Sequence, residues 1–382
     1  MEKVKFRRDN GLMPNDPSLV GLVKNGDIDE FKRQISDVYV LPDTLVTKGF
    51  RCLSCFKHNN VKELRSSIEV TNDHLTDFTL ILNTDFDFKN SVPLLVKKIF
   101  SIINILIIPL NPNPRIKINT KVELLFEPIA ALIGCDLVNI SQRDKALKEF
   151  GKALEFLESI RFRLDDSINS GEPPQQINLR FCESIKFDEH ISSRGRKVIN
   201  KRRVTIELTE EYVRFSLLNG NNNRKLTSIL TGSLALTNPV AYGIAESLTR
   251  QYCDCFNQHG SFDRLSVSTL LASSSLPSEN KLKNGNRHTR DRVILPFLKA
   301  LNELDDKEII KISKFTKARE VELSDEEVRE LEVELRRIRG EPISEEDKDI
   351  RMSFNLFKGL YIHFNVPSLM EERFGNNIIK IA

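Results

Sequence analysis

Residues 264–315 read RLSVSTLLASSSLPSENKLKNGNRHTRDRVILPFLKALNELDDKEIIKISKF. Ser266 predicts the start of a short helix, because its hydroxyl can accept the first backbone N–H groups. The chain breaks at Leu276-Pro277-Ser278, and an alternating strand, Ile310 to Lys314, closes the stretch. Between break and strand, a second helix is predicted by apolar residues spaced three and four apart: Val293, Ile294, Phe297, Leu298, Leu301 and Leu304. Helix, break, helix and strand in this order predict a winged helix-turn-helix.

The start of this second helix carries the first group of candidate DNA-binding residues, since that end enters a major groove in helix-turn-helix proteins. The group is Arg287, His288, Thr289, Arg290 and Arg292. Arg290 or Arg292 would bind guanine O6 and N7, which contributes about 1–3 kcal/mol of discrimination. Arg287, Lys281 and Lys283 would contact phosphates, which position the protein without reading sequence. The alternative is an ordinary solvated helix start. Pro296, inside the helix, is expected to bend it.

A similar order is predicted upstream. The apolar run 92–110 is interrupted by lysines and bounded by prolines, so we expect a buried core helix rather than a membrane span. A helix from Glu123 to Ile133 would stop at Gly134, and Ser141 would cap a long helix ending near Ser159. Strands are expected at 160–164, 177–187, 203–208 and 212–218. These elements predict a first winged helix.

Two further groups of basic residues are candidate DNA contacts. The first lies on the long helix: Gln142, Arg143, Lys145 and Lys148. Because Asp144 and Glu149 dilute its charge, a salt-bridged exposed helix is the alternative. The second lies in or beside a predicted hairpin: Arg194, Arg196, Lys197, Lys201, Arg202 and Arg203. A basic hairpin can follow a DNA backbone or reach the minor groove. The alternative is a charged loop that is exposed to solvent and has no binding role.

The overall charge of +3 hides an uneven distribution. Residues 191–230 contain nine Lys/Arg against three Glu, and residues 264–319 contain twelve Lys/Arg against six acidic residues. Residues 320–350 contain thirteen acidic residues against five basic ones. Basic segments followed by an acidic one are typical of a protein that binds a polyanion.

Cysteine usage and absent motifs limit the other classes of function. Six cysteines in 382 residues, with no secretory start, predict a reducing, cytoplasmic location. Cys52, Cys55 and His58 suggest zinc, but the next such group, Cys253, Cys255 and His259, is two hundred residues away, so free thiols are expected and no metal or cofactor is predicted. No phosphate-binding loop, His-x-His pair or hydrolase motif occurs, which argues against an enzyme.

The predicted fold class is α+β, mostly helical, with two tandem winged helix-turn-helix domains. We divide the chain into an N-terminal arm or small subdomain (1–90), a first winged-helix domain (91–220), a second (221–318) and a charged C-terminal extension (319–382). Asn238-Pro239 would open the first helix of the second domain, and the polar run 219–225 would be a linker.

Two stretches resemble the replication initiator proteins of bacterial plasmids: NPVAYGIAESLTRQY at 238–252 and RLSVSTLLASSSLPS…RHTRDRVILPFLKALNEL at 264–304. The shared pattern is an Asn-Pro-opened helix, a serine-capped short helix, a Leu-Pro-Ser break and an Arg-led helix with proline before an aromatic residue. The resemblance extends over residues 95–315, although the first domain is similar only in its pattern of elements. The family pattern includes a proline before an aromatic residue, so Pro296-Phe297 fits it.

The resemblance implies two winged-helix domains that bind repeated double-stranded DNA sites at a replication origin, with no chemistry of their own. It implies recruitment of a host helicase and a possible homodimer formed through the first domain. No membrane partner is expected, because the run 92–110 is predicted to be a buried helix. The resemblance places Arg287, His288, Arg290 and Arg292 at the recognition helix. A winged-helix transcriptional regulator is the first alternative, and an enzyme with an unrecognised site in residues 1–90 is the second.

Overall fold

The protein is described by a computed structural model. The structure describes residues 38–53, 60–64, 67–72, 75–83, 93–166, 175–191, 197–218, 226–254, 263–274, 276–277, 289–317 and 321–368. The chain divides into two compact units, residues 7–236 and residues 237–382 together with 1–6. This division differs from the four segments expected from the sequence, because strands from 38–83 and from 360–365 join sheets of the neighbouring segments.

The first unit contains five described helices and ten strands. The helices are α1 (Leu45–Cys52), α2 (Leu94–Leu110), α3 (Phe126–Leu132), α4 (Ile140–Ser159) and α5 (Glu210–Leu218), and a short turn of helix, Thr231–Leu234, follows them. The strands are β1 (Val38–Pro42), β2 (Asn60–Glu63), β3 (Ser67–Asn72), β4 (Leu75–Asn83), β5 (Lys121–Leu125), β6 (Arg161–Asp166), β7 (Gln175–Arg180), β8 (Cys182–Ile191), β9 (Lys197–Leu208) and β10 (Leu226–Leu230).

These strands form three antiparallel sheets. One has the order β2-β3-β4-β6-β7, the second has β5-β9-β8, and β1 pairs with β10. Alternation explains which side of the five-stranded sheet is buried: Phe78, Leu80 and Leu82 of β4 are buried, together with Phe162 and Leu164 of β6. The expected subdomain 1–90 therefore shares a core with the residues that follow it.

Helix α2 lies at the centre of this unit. Its residues from Val96 to Ile108 are all buried, as the apolar run predicts. The ring centroid of Phe100 lies 4.4 Å from that of Phe50 in α1 and 5.3 Å from that of Phe181. The hydroxyl of Tyr212 in α5 donates to Asn104 Oδ1 over 2.9 Å, so the polar side chain in the middle of the run has a buried partner. Burial raises the pKa of Tyr212, which keeps this donor protonated.

Three local predictions in this unit need correction. Residues 121–125 form a strand, because pairing with β9 buries Val122 and Leu124 on one side, and the helix begins only at Phe126. Residues 210–218 are helical rather than extended, since the Thr209 hydroxyl accepts the backbone N–H of Tyr212. Asn139, not Ser141, caps α4. Gly134 does end α3 with a φ of 79°, as predicted.

The second unit contains helices α6 (Pro239–Asp254), α7 (Val267–Ser273), α8 (Leu295–Asp306), α9 (Asp325–Arg339) and α10 (Phe354–Gly359). Its strands are β11 (Arg264–Ser266), β12 (Lys311–Lys317) and β13 (Leu360–Asn365). The predicted helix starts at Asn238 and Ser266 are confirmed: Asn238 accepts the N–H of Val240, and Ser266 accepts that of Thr269. Ser324 caps α9 by accepting the N–H of Glu327. The apolar stripe from Val293 to Leu304 is buried as expected.

The sheet of this unit has the order β11-β13-β12, so its last strand is the middle one. Strand β13 pairs with β11 on one side and with β12 on the other, and Leu360, Ile362 and Phe364 are buried. The segment expected to be an extension therefore completes the sheet of this unit. Residues 318–359, with α9 and α10, are inserted between the second and third strands.

Replacing Ile362 with alanine should destabilise the second unit by about 2–5 kcal/mol, because truncation of a fully buried isoleucine leaves a cavity. Urea unfolding followed by circular dichroism measures this change. Ile116→Ala is the matched control, since Ile116 is 86% exposed and its truncation should change stability by less than about 0.5 kcal/mol. Equal stability of the two variants would contradict a central position for β13.

Candidate nucleic-acid interface

The candidate recognition helix of the second unit begins with a wide turn. Residues Arg290–Ile294 form a π-helical turn that runs directly into α8. The N–H of Leu295 donates to the carbonyl of Arg290, five residues earlier. Pro296 has no backbone N–H and so cannot donate a hydrogen bond to the preceding turn. The wider π-helical hydrogen bonding lies in the five residues before Leu295, directly upstream of this proline. The bend expected at Pro296 thus takes the form of one π turn.

Arg290 is held by a buried carboxylate. Its Nε lies 2.7 Å from Glu334 Oε1 and its Nη2 lies 2.8 Å from Glu334 Oε2. The Glu334 side chain, on α9, is completely buried. Arg337 Nη1 lies 3.2 Å from the same carboxylate, and the N–H of Met352 points to it over 3.5 Å. A planar two-point contact of this kind is the geometry that suits an arginine best.

Two opposing effects set the pKa of Glu334. Burial acts to raise it, but the hydrogen bond from Arg290 and the charges of Arg290 and Arg337 outweigh burial, so the pKa lies below its ordinary value. The pKa of Arg290 is raised, chiefly by the same hydrogen bond. A lowered carboxyl pKa means that the pair stabilises the fold at neutral pH and loses this contribution as the pH falls through that pKa.

Two of the predicted DNA-binding residues, Arg290 and Thr289, are largely withdrawn from the surface. Arg290 uses Nε and Nη2 on Glu334 and Nη1 on Asp291, 3.2 Å away, and only 25% of its side chain is exposed. Thr289 is buried. Arg292, two residues on, is exposed, and no ion pair is recorded for it within the described residues. Of the two arginines proposed for base contact, the geometry favours Arg292.

Sequence reasoning did not identify Glu334. It stands in a helix rich in surface charge, DEEVRELEVELRRIR, where an acidic residue is normally solvated. The signal was its position three residues after Leu331, on the side that also buries Val333 and Leu331. A carboxylate on the buried side of a helix requires a cationic partner, because an unpaired buried charge is costly.

The strand that would form the wing carries three lysines, and each has an acidic neighbour. Lys311 Nζ lies 3.8 Å from Glu308 Oε1, and Lys314 Nζ lies 2.9 Å from Glu322 Oε1. Lys317 contacts Glu327. Two of these carboxylates come from the acidic segment 320–350, which thus lies beside the strand and partly neutralises it.

In the first unit, α4 exposes its cations along one side. Lys145 and Lys148 are exposed, and no acidic partner is recorded for either among the residues described. Lys152 Nζ lies 4.0 Å from Glu149, and Arg143 Nε lies 3.8 Å from Asp144. Gln142 is also exposed, in the first turn. The ion pairs expected of a salt-bridged helix are therefore found at Arg143 and Lys152, while Lys145 and Lys148 between them are exposed.

The predicted basic hairpin is formed by β8 and β9, which pair from Ile191↔Lys197 onwards. Lys197 and Lys201 lie on β9. Arg202 Nε lies 3.3 Å from Glu127, and Arg203 Nε lies 3.7 Å from Asp188. The last two arginines thus make ion pairs within their own unit. Arg194 and Arg196 lie outside the described residues, as do Lys281, Lys283, Arg287 and His288.

The proposed zinc ligands are not placed by the structure. Cys55, His58, Cys255 and His259 lie outside the described residues, as does the expected linker 219–225. Within the residues that are described, no group of three His, Cys, Asp or Glu side chains is arranged to hold a metal ion. In the same portion of the chain, none of the helices combines the length and the apolar character needed to span a bilayer.

No protein-family model and no curated protein matches the chain. Several solved structures are similar to it. The Pi initiator protein in complex with iteron DNA is 16% identical, with a TM-score of 0.38 over 75% of this chain and 92% of that one. A selenomethionine derivative of domains 2 and 3 of RctB is 12% identical, with a TM-score of 0.34 over 69% and 86%. A second structure of RctB domains 2–3 is 11% identical, with a TM-score of 0.32 over 64% and 76%.

All three TM-scores lie below 0.5 and all three identities lie below 25%.

Arg290→Ala should destabilise the protein by roughly 3 kcal/mol, because it leaves the buried Glu334 carboxylate with one partner fewer. Arg292→Ala, in the same turn, is the matched control and should change stability by less than about 0.5 kcal/mol. Denaturant unfolding at neutral pH measures both.

The loss in Arg290→Ala should shrink at acidic pH, where Glu334 becomes protonated and the ion pair disappears in the parent protein too. A loss that is independent of pH would contradict the role given to the pair. The double variant Arg290→Met with Glu334→Leu should regain most of the lost stability, since it removes both charges.

Proposed function

We propose that the chain is a sequence-specific double-stranded DNA-binding protein with one winged-helix module in each unit. The proposal rests on one repeated arrangement. In the first unit, α2, β5, α3, α4, β8 and β9 follow one another, with β6 and β7 inserted after α4. The second unit has the same order of elements, with α9 and α10 inserted before the last strand: α6, β11, α7, α8, β12 and β13.

The two sheets support this interpretation because both place the last strand between the other two: β5-β9-β8 and β11-β13-β12. Three helices over a three-stranded sheet of this order are the elements of a winged helix-turn-helix. The wing is the β8–β9 hairpin in the first unit and the antiparallel pair β12–β13, interrupted by α9 and α10, in the second. The third helix of each set, α4 or the π turn with α8, takes the place of the recognition helix. The two sets agree in topology although their sequences show no obvious identity.

The charges at the start of these helices fit DNA. Lys145 and Lys148 of α4 are exposed, and Arg292 is exposed at the start of the other helix. A helix start also carries partial positive charge from its backbone N–H groups, which favours a phosphate nearby. On each helix, cations at the end that enters a major groove would supply both phosphate contacts and base contacts.

The biological role that we propose is initiation of plasmid or mobile-element replication at an origin with repeated binding sites. It is supported by the resemblance at residues 238–252 and 264–304, which fall on α6, α7 and α8. In this proposal the protein performs no catalysis: bound copies open the origin, and a host helicase follows. A homodimer and a cytoplasmic location belong to the same proposal.

Selection of bound oligonucleotides from random DNA, followed by footprinting on the recovered sites, tests this function. We expect a defined sequence, present as repeats in the replicon that encodes the protein. Permanganate footprinting should show unpaired thymines beside the repeats. Specific binding at a promoter without strand opening would favour a regulator, and binding without sequence preference would refute the proposal.

Arg292→Ala should weaken binding to the selected site by about 1–3 kcal/mol and weaken binding to random DNA much less, because the variant cannot make the base contact. Fluorescence anisotropy with both DNAs measures the difference. Arg214→Ala is the control, since Arg214 is exposed on α5 and pairs with Glu210. Equal losses on both DNAs would mean that Arg292 contacts phosphate only.

Replacing Arg194, Arg196, Lys197 and Lys201 with serine should flatten the dependence of binding on salt by roughly one unit of log–log slope for each phosphate that is no longer contacted. The same change at Arg202 and Arg203 should have a smaller effect, because their guanidinium groups lie beside Glu127 and Asp188. Titrations between low and high salt measure the slope. An unchanged slope in the first variant would remove the hairpin from the DNA interface.

A further inference from the structure

Two apolar side chains are exposed where helix α4 begins. Val138 is 93% exposed and Ile140 is 65% exposed. Val138 belongs to the turn between α3 and α4, and Ile140 is the first residue of α4. Neither is covered by its own unit, although both are β-branched and water-avoiding. In a helix-turn-helix, the N-terminal residues of the second helix contact base edges in the major groove, and Ile140 and the adjoining Val138 lie at that end of α4.

Polar side chains fix the backbone of this turn. Asp136 Oδ1 accepts the N–H of Val138 over 2.9 Å and that of Asn139 over 3.3 Å. Asn139 Oδ1 accepts the N–H of Gln142 over 3.2 Å. Because β-branched side chains are also stiff at χ1, Val138 and Ile140 are held in place before any partner arrives. Binding of a partner would therefore cost little conformational entropy at these side chains.

The surroundings favour DNA over a protein partner. Gln142, Lys145 and Lys148 are exposed on the next two turns, and the exposed acid among them, Asp144, lies 3.8 Å from Arg143 Nε. Two side chains also form too small an apolar patch for a stable protein interface, which buries about 800 Å² on each partner. A partner that matches this surface is a polyanion that presents a small apolar group to Val138 and Ile140.

In double-stranded DNA that group is the C5-methyl of thymine, which projects into the major groove. We propose that Val138 and Ile140 determine specificity by contacting thymine methyl groups when α4 lies in the major groove. This inference rests on the proposed function and adds to it the kind of base pair that the first module selects: an A·T pair with its methyl group towards the turn. Lys145 and Lys148 would hold the adjacent phosphates.

Substitution of thymine by deoxyuridine tests this contact, because it removes only the methyl group. The site recovered from random DNA is synthesised with each thymine replaced in turn, and affinities are measured by anisotropy. For the parent protein we expect one or two positions at which uracil weakens binding about fourfold, the effect of burying one methyl-sized group. In Val138→Ala or Ile140→Ala, the matching position should bind thymine and uracil equally well.

Val61→Ala is the matched control, since Val61 is 41% exposed on β2 and its truncation should leave the fourfold preference intact. Three outcomes would overturn the inference. In the first, the parent protein binds every uracil-containing site as tightly as the thymine-containing site. In the second, the Val138 and Ile140 variants keep the preference for thymine. In the third, these variants change only the oligomeric state measured by light scattering, which would assign the patch to a protein partner. In these cases sequence-specific binding, and with it the proposed function, still stands. If no sequence is selected at all, both proposals fall.

Discussion

Backbone pairing of the last strand between two earlier ones is the constraint on which each unit depends. In the second unit, β13 supplies hydrogen bonds to β11 and β12 at once, so neither outer strand has a neighbour without it. Its buried residues Leu360, Ile362 and Phe364 cover the helices from one side. In the first unit β9 has the same position between β5 and β8. The strand that closes each sheet comes last in sequence, which permits long insertions before it without changing the helices that it supports.

The insertions differ in the contacts that hold them. In the first unit β6 and β7 extend a sheet begun by β2, β3 and β4, and Arg163 donates to both oxygens of Glu69 within that sheet over 2.7 and 3.0 Å. In the second unit α9 is fastened through Glu334 to Arg290. That pair connects the insertion to the first turn of the proposed recognition helix. The buried carboxylate thus fixes the orientation of the Arg290 guanidinium.

Much of the local structure could be predicted from the sequence. Four predictions were correct because each depends on contacts or composition within a few residues: the helix starts at Asn238 and Ser266, the stop at Gly134 and the buried helix α2. The strand at 121–125 and the helix at 210–218 were missed. The strand at 121–125 depends on pairing with β9, some eighty residues later in the chain. The helix at 210–218 begins where the Thr209 hydroxyl accepts the N–H of Tyr212, in a segment whose residue pattern is also typical of a strand.

The sequence by itself determined the order of helix, break, helix and strand, and the clusters of positive charge, since hydrophobic periodicity and charge are readable along the chain. Only the tertiary structure decided that 360–365 completes a sheet begun at 264, that Arg290 is committed to Glu334 while Arg292 is exposed, and that Val138 and Ile140 remain in water. The physical reason is distance along the chain. Residues far away in sequence determine which strands pair, which counter-ion a buried charge finds and which apolar side chains are covered. No local sequence pattern predicts these long-range contacts.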